Sequence, residues 1–155
     1  MTAVTSPFPS GIRMSEYDPQ NPFARILRGE LPSIRVYEDE FTVALMDIMP
    51  QADGHVLILT KEPAAELFEL SADGAAACMR TTQKIARAVK AALAPAGVLV
   101  AQFNGRAAGQ TVPHVHFHVI PREAGEALKP HAAEPADTGK LQEIATRIKA
   151  ALTKD

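Results

Sequence analysis

The chain has 155 residues, a length that fits one compact domain and leaves little room for a second. Its formal net charge of -2 gives no support for a basic nucleic-acid-binding face, and no apolar run reaches the roughly 18–20 residues that cross a bilayer. The single cysteine, Cys78, excludes an internal disulfide and a paired-cysteine metal or redox site. A reducing, intracellular setting is therefore favoured.

The N-terminal part of the chain changes character at Asn21. Residues 1–20 are predicted to form a flexible tail, because proline and glycine interrupt any regular structure and no signal-peptide core is present. From there the pattern predicts a short helix over residues 23–28, in which Asn21 is the N-cap, Pro22 takes the first position and Gly29 ends the helix.

Three strands and two helices are predicted next. Alternating hydropathy predicts a hairpin of two strands, and a more apolar run predicts a central strand. A short helix that begins at a proline and a long helix with apolar positions at three- and four-residue steps follow. The strands are residues 34–38, 41–46 and 55–60, and the helices are residues 63–70 and 73–94.

The rest of the chain is predicted to add two strands and a C-terminal helix. The strands are residues 98–103 and 114–120, and the short polar loop between them allows antiparallel pairing. We therefore expect an α+β fold with one antiparallel sheet, in which residues 21–122 form the domain. Residues 123–155 are expected to be a C-terminal extension that carries an amphipathic helix over residues 138–152.

Three of the five histidines lie at alternate positions in the last predicted strand. Because side chains alternate between the two faces of a strand, these three share one face and their apolar neighbours face the core. Consecutive histidines are expected about 6.5–7 Å apart, twice the rise per residue. The histidines are His114, His116 and His118, and the neighbours are Val115, Phe117 and Val119.

Two chemistries use such a row of imidazoles. A neutral imidazole is a good nucleophile near neutral pH, because its ordinary pKa is about 6.5. Imidazole is also a common zinc ligand, although zinc would need a third or fourth ligand from His55, His131 or a carboxylate. Both interpretations remain open from the residues alone.

Several separate motifs resemble one family. Residues 114–120 match the histidine triad motif, His-φ-His-φ-His-φ-φ with φ apolar, at every position. The loop Gly105-x-x-x-Gly109-Gln110-Thr111-Val112 is similar to the phosphate loop of that family, and the segments at residues 23–26, 37–39 and 47–55 also resemble it. The chain thus resembles the histidine triad (HIT) family over about residues 21–122.

The resemblance implies a fold and an activity. The fold is HIT-like, a five-stranded antiparallel sheet with one long and one short helix, usually paired as a homodimer in the cytoplasm. The activity is that of a Hint/Fhit-like nucleotidyl hydrolase or transferase, which cleaves at the α-phosphate of a purine nucleotide through a covalent nucleotidyl-histidine. No cofactor and no metal are expected, and the charge and hydropathy described above favour neither a nucleic-acid nor a membrane partner. The long amphipathic helix adds apolar surface that also suits a dimer.

The same resemblance assigns roles to single residues. His116 is the nucleophile, His118 contacts the phosphate and the leaving group, His114 supports both, and His55 is a fourth histidine near the site. The acid that binds the ribose is Asp47. The base pocket is formed by Phe23, Ile26, Phe41 and Ile48, and the loop residues near the phosphate are Gly109, Gln110 and Thr111.

The chain departs from the family pattern at two places. Some relatives carry Asn or Gln as a phosphate contact eleven residues before the first triad histidine, where this chain has Phe103. Two alternatives are open: either the adjacent Asn104 supplies that contact from a shifted backbone, or the contact is absent. Relatives with an N-terminal cysteine pair bind structural zinc, and this chain has no such pair, so no structural zinc is expected.

Three functions remain open at this stage. The first is hydrolysis, either of nucleoside phosphoramidates or of dinucleoside polyphosphates, since both proceed through the same covalent step. The second is a nucleotide-binding regulatory module whose catalysis is vestigial. The third is a histidine-rich metal-binding protein.

Overall fold

The computed structural model describes residues 16–129 and 134–152, so residues 1–15 of the expected tail and His131 lie outside the described part of the chain. The fold is α+β, with the predicted five-stranded antiparallel sheet. The strands are β1 (Arg35–Glu38), β2 (Thr42–Met46), β3 (Val56–Thr60), β4 (Gly97–Ala101) and β5 (His116–Arg122). They follow the order β1-β2-β3-β5-β4 across the sheet, and every neighbouring pair is antiparallel.

Three α-helices accompany the sheet, and each begins at a side-chain cap. Asn21, Ser71 and Asp137 each accept a hydrogen bond from the backbone N–H three residues later, which satisfies a donor that the first helical turn leaves open. The helices are α1 (Pro22–Leu27), α2 (Ala72–Leu93) and α3 (Thr138–Ala151), and two short 3₁₀ turns occupy Leu67–Glu69 and Arg106–Ala108. Among the described helices, none combines the length and the apolar character needed to span a membrane.

The helix predicted over residues 63–70 is replaced by a single 3₁₀ turn. The carbonyls that would begin such a helix are already used by distant parts of the chain. The Ala64 carbonyl accepts the backbone N–H of Val115 at 2.9 Å, and the Ala65 carbonyl accepts the Gln110 side-chain amide at 2.7 Å. Tertiary hydrogen bonds therefore take the place of the i to i+4 bonds of a helix.

The last strand, β5, begins and ends two residues later than the prediction of residues 114–120; the other predicted bounds agree within two residues, apart from the helix above. Pro121 belongs to β5 and lies opposite Val98 of β4. The pairing with β3 reaches only as far as Val119, so β5 has a neighbour on one side at the proline. A proline is tolerated there because it lacks an N–H that an edge position does not require.

The sheet has two different faces. The packing face carries apolar side chains that lie against α2 and α3: Ala44, Met46, Val56, Ile58, Phe117 and Val119. The site face carries the alternate residues of the same strands: Val43, Leu45, Leu57, Leu59, His116 and His118. Helix α1 covers part of the site face with Phe23, Ile26 and Leu27.

The C-terminal extension is docked on the domain. Helix α3 buries Leu141, Ile144, Ala145 and Ile148, which share one face of the helix. Arg147 donates to the Ala92 carbonyl at 2.8 Å, which ties α3 to the end of α2. Just before α3, the N–H of Ala136 donates to the Ile48 carbonyl at 2.9 Å, so the extension also holds the loop after β2.

Candidate active site

A cavity of about 370 Å³ opens on the site face between α1, the sheet and three loops. Its size lies within the roughly 300–1,000 Å³ that small-molecule sites occupy. Most of its wall is apolar. The polar side chains in its wall are Ser33, Asp47, Thr111, His116 and His118.

The triad is divided between the cavity wall and the layer behind it. His116 and His118, the first and third residues of β5, both line the cavity, and their ring centroids lie 4.9 Å apart. His114 precedes the strand, is 1% exposed and lies beside the cavity rather than in its wall. The predicted alternation is confirmed for the neighbours, since Val115, Phe117 and Val119 are all in the core.

The ring orientation of His116 is fixed by the backbone. Its Nδ1 lies 2.6 Å from the His114 carbonyl oxygen, which can only accept a hydrogen bond. Nδ1 therefore carries the proton, and in the neutral ring Nε2 carries the lone pair. The edge of the Phe23 ring packs against the same imidazole, with centroids 4.8 Å apart. His116 is thus held with an unprotonated ring nitrogen opposite its backbone tether.

A second backbone hydrogen bond, made to His55, determines which nitrogen of His118 carries the proton. The backbone N–H of Gln51 donates to His55 Nδ1 at 3.1 Å, so the proton of the neutral His55 ring is on Nε2. That Nε2 lies 2.9 Å from His118 Nδ1, which must then accept. His118 consequently carries its proton on Nε2. Asp47 lies against the same pair, with Oδ2 3.5 Å from His55 Nε2.

His114 is held between a carbonyl and a phenol. Its Nε2 donates to the Thr60 carbonyl at 2.7 Å, and the Tyr17 hydroxyl lies 2.8 Å from its Nδ1. Burial holds the pKa of His114 below its ordinary value, and the hydrogen bond to Thr60 offsets part of that effect. The first triad histidine is therefore a neutral, fully hydrogen-bonded side chain.

The cavity brings together several of the residues expected to bind a substrate. Asp47 and Ile48 lie directly after β2, and Asp47 Oδ1 accepts the backbone N–H of Met49, which fixes the loop. The expected residues found in the wall are Phe23, Ile26, Asp47, Ile48 and Thr111.

Four other expected binding residues lie outside the cavity wall. Phe41 is 53% exposed in the turn between β1 and β2, where its N–H donates to Asp39. Asn104 is engaged by the Leu67 N–H and by the Gln102 amide, so its side chain braces a loop.

The remaining two belong to the same loop. Gln110 is 8% exposed and ties three backbone groups together, with its amide on the carbonyls of Ala65 and Val112 and its oxygen on the N–H of Gly105. Gly109 has a φ of +102°, a left-handed conformation that favours glycine, and ends the 3₁₀ turn. Both residues shape the loop that presents Thr111.

Other residues of the site carried no clear signal in the sequence. The Phe103 ring, expected only as a departure from the family pattern, lies against His118 with centroids 5.4 Å apart. Tyr17 lies in the segment expected to be a tail. Apolar wall residues were also missed, although strand alternation from Asp47 and His55 indicates two of them, Leu45 and Leu57. The others include Leu31, Pro32, Met49 and Val112.

Known proteins share this sequence and this fold. The HIT domain family model matches residues 28–125. The adenosine 5'-monophosphoramidase hnt1 of Schizosaccharomyces pombe is 34% identical over 133 residues, which cover 82% of this chain and 97% of the relative.

Two solved structures superpose well on the fold. The Hit-like protein involved in cell-cycle regulation from Bartonella henselae is 45% identical, with a TM-score of 0.85 over 89% of this chain and 100% of that one. A zinc-bound histidine triad family protein from Mycobacterium smegmatis is 35% identical, with a TM-score of 0.73 over 83% and 90% of the two chains. The family match spans more than half of the sequence, and the chain belongs to the histidine triad family.

Proposed function

We propose that the protein is a nucleotidyl hydrolase in which His116 attacks the α-phosphate of a purine nucleotide. The observation that carries the proposal is the pair of fixed rings in the cavity wall. His116 carries a lone pair on Nε2, and His118 carries a proton on Nε2. In their neutral forms, a nucleophile and a hydrogen-bond donor for the phosphate therefore stand side by side without either ring changing its tautomer.

The reaction would follow from these two protonation states. The Nε2 lone pair of His116 forms a bond to the α-phosphorus as the bond to the leaving group breaks. His118 donates a hydrogen bond from Nε2 to a phosphate oxygen, and a water molecule gives a proton to the departing nitrogen or oxygen. The ring of His116 becomes cationic, and its hydrogen bond to the His114 carbonyl stabilises that charge. The hydroxide left by that water then attacks the phosphorus, breaks the N–P bond, releases the nucleoside monophosphate and returns His116 to its neutral form.

The cavity wall supports a nucleotide as the substrate. Apolar side chains from α1 and from the loop after β2, among them Phe23, Ile26 and Ile48, offer a surface for a planar base. Asp47 is the acid in the wall, and we assign it to the ribose hydroxyls. The Thr111 side chain is assigned to the phosphate, beside the two histidines.

Between the two hydrolytic activities, a phosphoramidate is the better supported substrate. The S. pombe relative, which aligns over almost its whole length, is named an adenosine 5'-monophosphoramidase. We therefore propose cleavage of a P–N bond, with an amine as the leaving group. Cleavage of a dinucleoside polyphosphate is the alternative outcome of the same test.

A side-by-side assay tests the proposal. Purified protein is given adenosine 5'-phosphoramidate or diadenosine tetraphosphate, and the intermediate is trapped by quenching in denaturant at alkaline pH, where an N–P bond to histidine survives, and is detected by mass spectrometry. We expect faster turnover of the phosphoramidate and an adenylyl group on His116. The His116→Asn variant should lose the adduct and at least about 10³-fold in kcat while it still binds AMP.

Two results would contradict the hydrolase. Turnover of neither substrate, together with intact AMP binding, would leave a nucleotide-binding module with vestigial catalysis. Undiminished activity of His116→Asn would remove this histidine from the mechanism.

One cluster keeps a metal-binding function as a second candidate. Asp47, His55 and His118 offer ligand atoms within 4.8 Å of one another, and the M. smegmatis relative is zinc-bound. The donor set fits a hydrogen bond better than a metal. A metal needs lone pairs on both His55 Nε2 and His118 Nδ1, whereas the Gln51 N–H places a proton between those two atoms. Activity lost in EDTA and restored by zinc would favour the metal.

We also propose that the protein works as a homodimer joined through β4. This strand is paired with β5 on one side and lies at the edge of the sheet, with Leu99 and Val100 39% and 44% exposed. An apolar edge strand is a template for pairing with another chain, and a second copy can pair its own β4 there by two-fold symmetry. Light scattering should give a dimer that Val100→Lys converts to a monomer. The matched control is Phe68→Lys, which replaces an exposed apolar residue outside the sheet.

A further inference from the structure

The segment that precedes α1 reaches the catalytic histidines. Tyr17 lies with its ring centroid 5.8 Å from that of His114 and its hydroxyl 2.8 Å from His114 Nδ1. It precedes the residues matched by the family model, which begin at residue 28. The contact therefore joins a residue outside the matched range to a triad histidine inside it.

The segment is anchored rather than loosely attached. The Asn21 side chain caps α1 through Oδ1 and donates through Nδ2 to the Asp18 carbonyl at 2.8 Å. The Arg28 guanidinium donates to the Pro19 carbonyl at 2.7 Å. These bonds join the segment to both ends of α1, whose Phe23 also contacts His114 and His116.

The direction of the hydrogen bond follows from the other side of the ring. The Thr60 carbonyl accepts from His114 Nε2, so the lone pair of the neutral ring lies on Nδ1. The Tyr17 hydroxyl then donates to Nδ1. It occupies the one ring atom of His114 at which a proton could be added.

The charge of His114 affects the proposed attack by His116, which takes place beside it. His114 lends its backbone carbonyl to His116, and its ring is buried beside the same site. In the proposed attack the His116 ring becomes cationic. A second positive charge on His114 would oppose that step by repulsion across a poorly solvated distance.

We infer that Tyr17 is a positioning residue for the reaction, because its hydroxyl holds His114 in the neutral tautomer that donates to Thr60 while His116 becomes cationic. This inference rests on the proposed function. Tyr17 is not in the cavity wall, so it acts through His114 and not on the nucleotide.

The test compares the two tyrosines of the chain as phenylalanine variants of the full-length protein. Tyr17→Phe keeps the ring and removes the hydroxyl. Tyr37→Phe is the matched control, because the Tyr37 hydroxyl makes a hydrogen bond of similar length, 2.9 Å to Asp39, away from the cavity. Two quantities are measured: kcat and KM for adenosine 5'-phosphoramidate, and the ring ¹⁵N resonances of His114 without substrate.

We expect Tyr17→Phe to lower kcat about fivefold, which corresponds to about 1 kcal/mol, with KM within about twofold of wild type. The resonance of the unprotonated Nδ1 of His114 should move when its donor is removed. Tyr37→Phe should change neither quantity. An unchanged kcat, an equal loss in both variants, a loss confined to KM or an unmoved Nδ1 resonance would each overturn the inference.

The resonance measurement separates this inference from the proposed function. If the wild-type protein turned over no substrate, the hydrolase would fail. The ¹⁵N spectra of the free protein would still decide whether the Tyr17 hydroxyl sets the state of His114.

Discussion

The two faces of the sheet are built from alternate residues of the same strands, yet one face stabilises the fold and the other carries the candidate active site. On the packing face, Ile58 and its neighbours are apolar, fully buried and pressed against α2 and α3. On the site face, the apolar cluster is smaller and the strand β5 presents His116 and His118 instead. A one-residue step along a strand thus separates a side chain that stabilises the fold from one that can perform chemistry.

Backbone groups make the hydrogen bonds that the buried imidazole rings of the site face require. Carbonyls of His114 and Thr60 and the N–H of Gln51 each hold one histidine ring. Within the described residues, no buried side-chain nitrogen or oxygen lacks a hydrogen-bond partner. The histidines are therefore oriented by groups that cannot change their donor or acceptor role, which preorganises the site.

The largest expected effect is on stability, and it comes from truncating a buried side chain of the packing face. Ile58→Ala should lower the free energy of unfolding by about 3 kcal/mol, because it leaves a cavity at a fully buried position of the central strand. In the folded variant, kcat should stay within about threefold of wild type. Urea denaturation and steady-state kinetics measure the two quantities.

The neighbouring residue supplies the contrast. Leu57→Ala removes a side chain that lines the cavity, so it should raise KM as well as lower stability. If Ile58→Ala raised KM as much as Leu57→Ala, the division of work between the two faces would be wrong.

The next effect concerns the ring that orients His118. His55→Phe keeps a ring of similar size but removes the donor to His118 Nδ1 and the acceptor for the Gln51 N–H. We expect kcat to fall about 30-fold, which corresponds to about 2 kcal/mol, with little change in KM. A variant with wild-type kcat would show that His118 does not depend on His55 for its tautomer.

The alternation that separates the two faces was predictable from the sequence, and so was the sheet. The period-2 pattern around His116 and the cap at Asn21 follow from local rules that the tertiary structure did not override. The predicted helix after Pro63 failed because Val115 and Gln110, far along the chain, take its carbonyls. A local sequence pattern does not indicate a hydrogen-bond partner that lies so far along the chain.

The site was predictable where a strand fixes the side chain and less so where a loop does. His118 follows from strand alternation and Asp47 from the resemblance to the family, and both line the cavity. Gln110 and Asn104 have the polar side chains that a phosphate loop requires, but their hydrogen bonds close the loop on itself. Tyr17 reaches His114 across 97 residues, a contact that the sequence does not indicate.

A smaller effect is expected from the acid in the cavity wall. Asp47→Asn should raise KM for a ribonucleotide substrate about tenfold, or about 1.4 kcal/mol, because it removes the charge that accepts the ribose hydroxyls. The amide retains an oxygen for the Met49 N–H, so the loop is preserved. The matched substrate is the 2',3'-dideoxy analogue, for which wild type and variant should have equal KM. An equal rise for both substrates would place Asp47 away from the ribose.

The smallest expected effect is on the pH dependence of stability, to which the titratable groups of the two faces should contribute differently. The four described histidines all lie on the site side of the sheet, whereas the titratable group in the packing-face core is Cys78, whose pKa burial raises to about 11. Burial lowers the pKa of His114, so the unfolded chain binds a proton there more readily than the folded one. Stability is then fully present above the ordinary histidine value of about 6.5 and is lost as the pH falls below it.

The free energy of unfolding should therefore be lower at pH 5.5 than at pH 7.5, with His114 contributing to the loss. Urea denaturation at the two pH values measures the total, and the ring proton resonances of His114 identify its share. In the folded protein these resonances should titrate below the ordinary histidine value. Titration of His114 at or above 6.5 would mean that the ring is charged beside the nucleophile, and the site face would then owe its acid sensitivity to other groups.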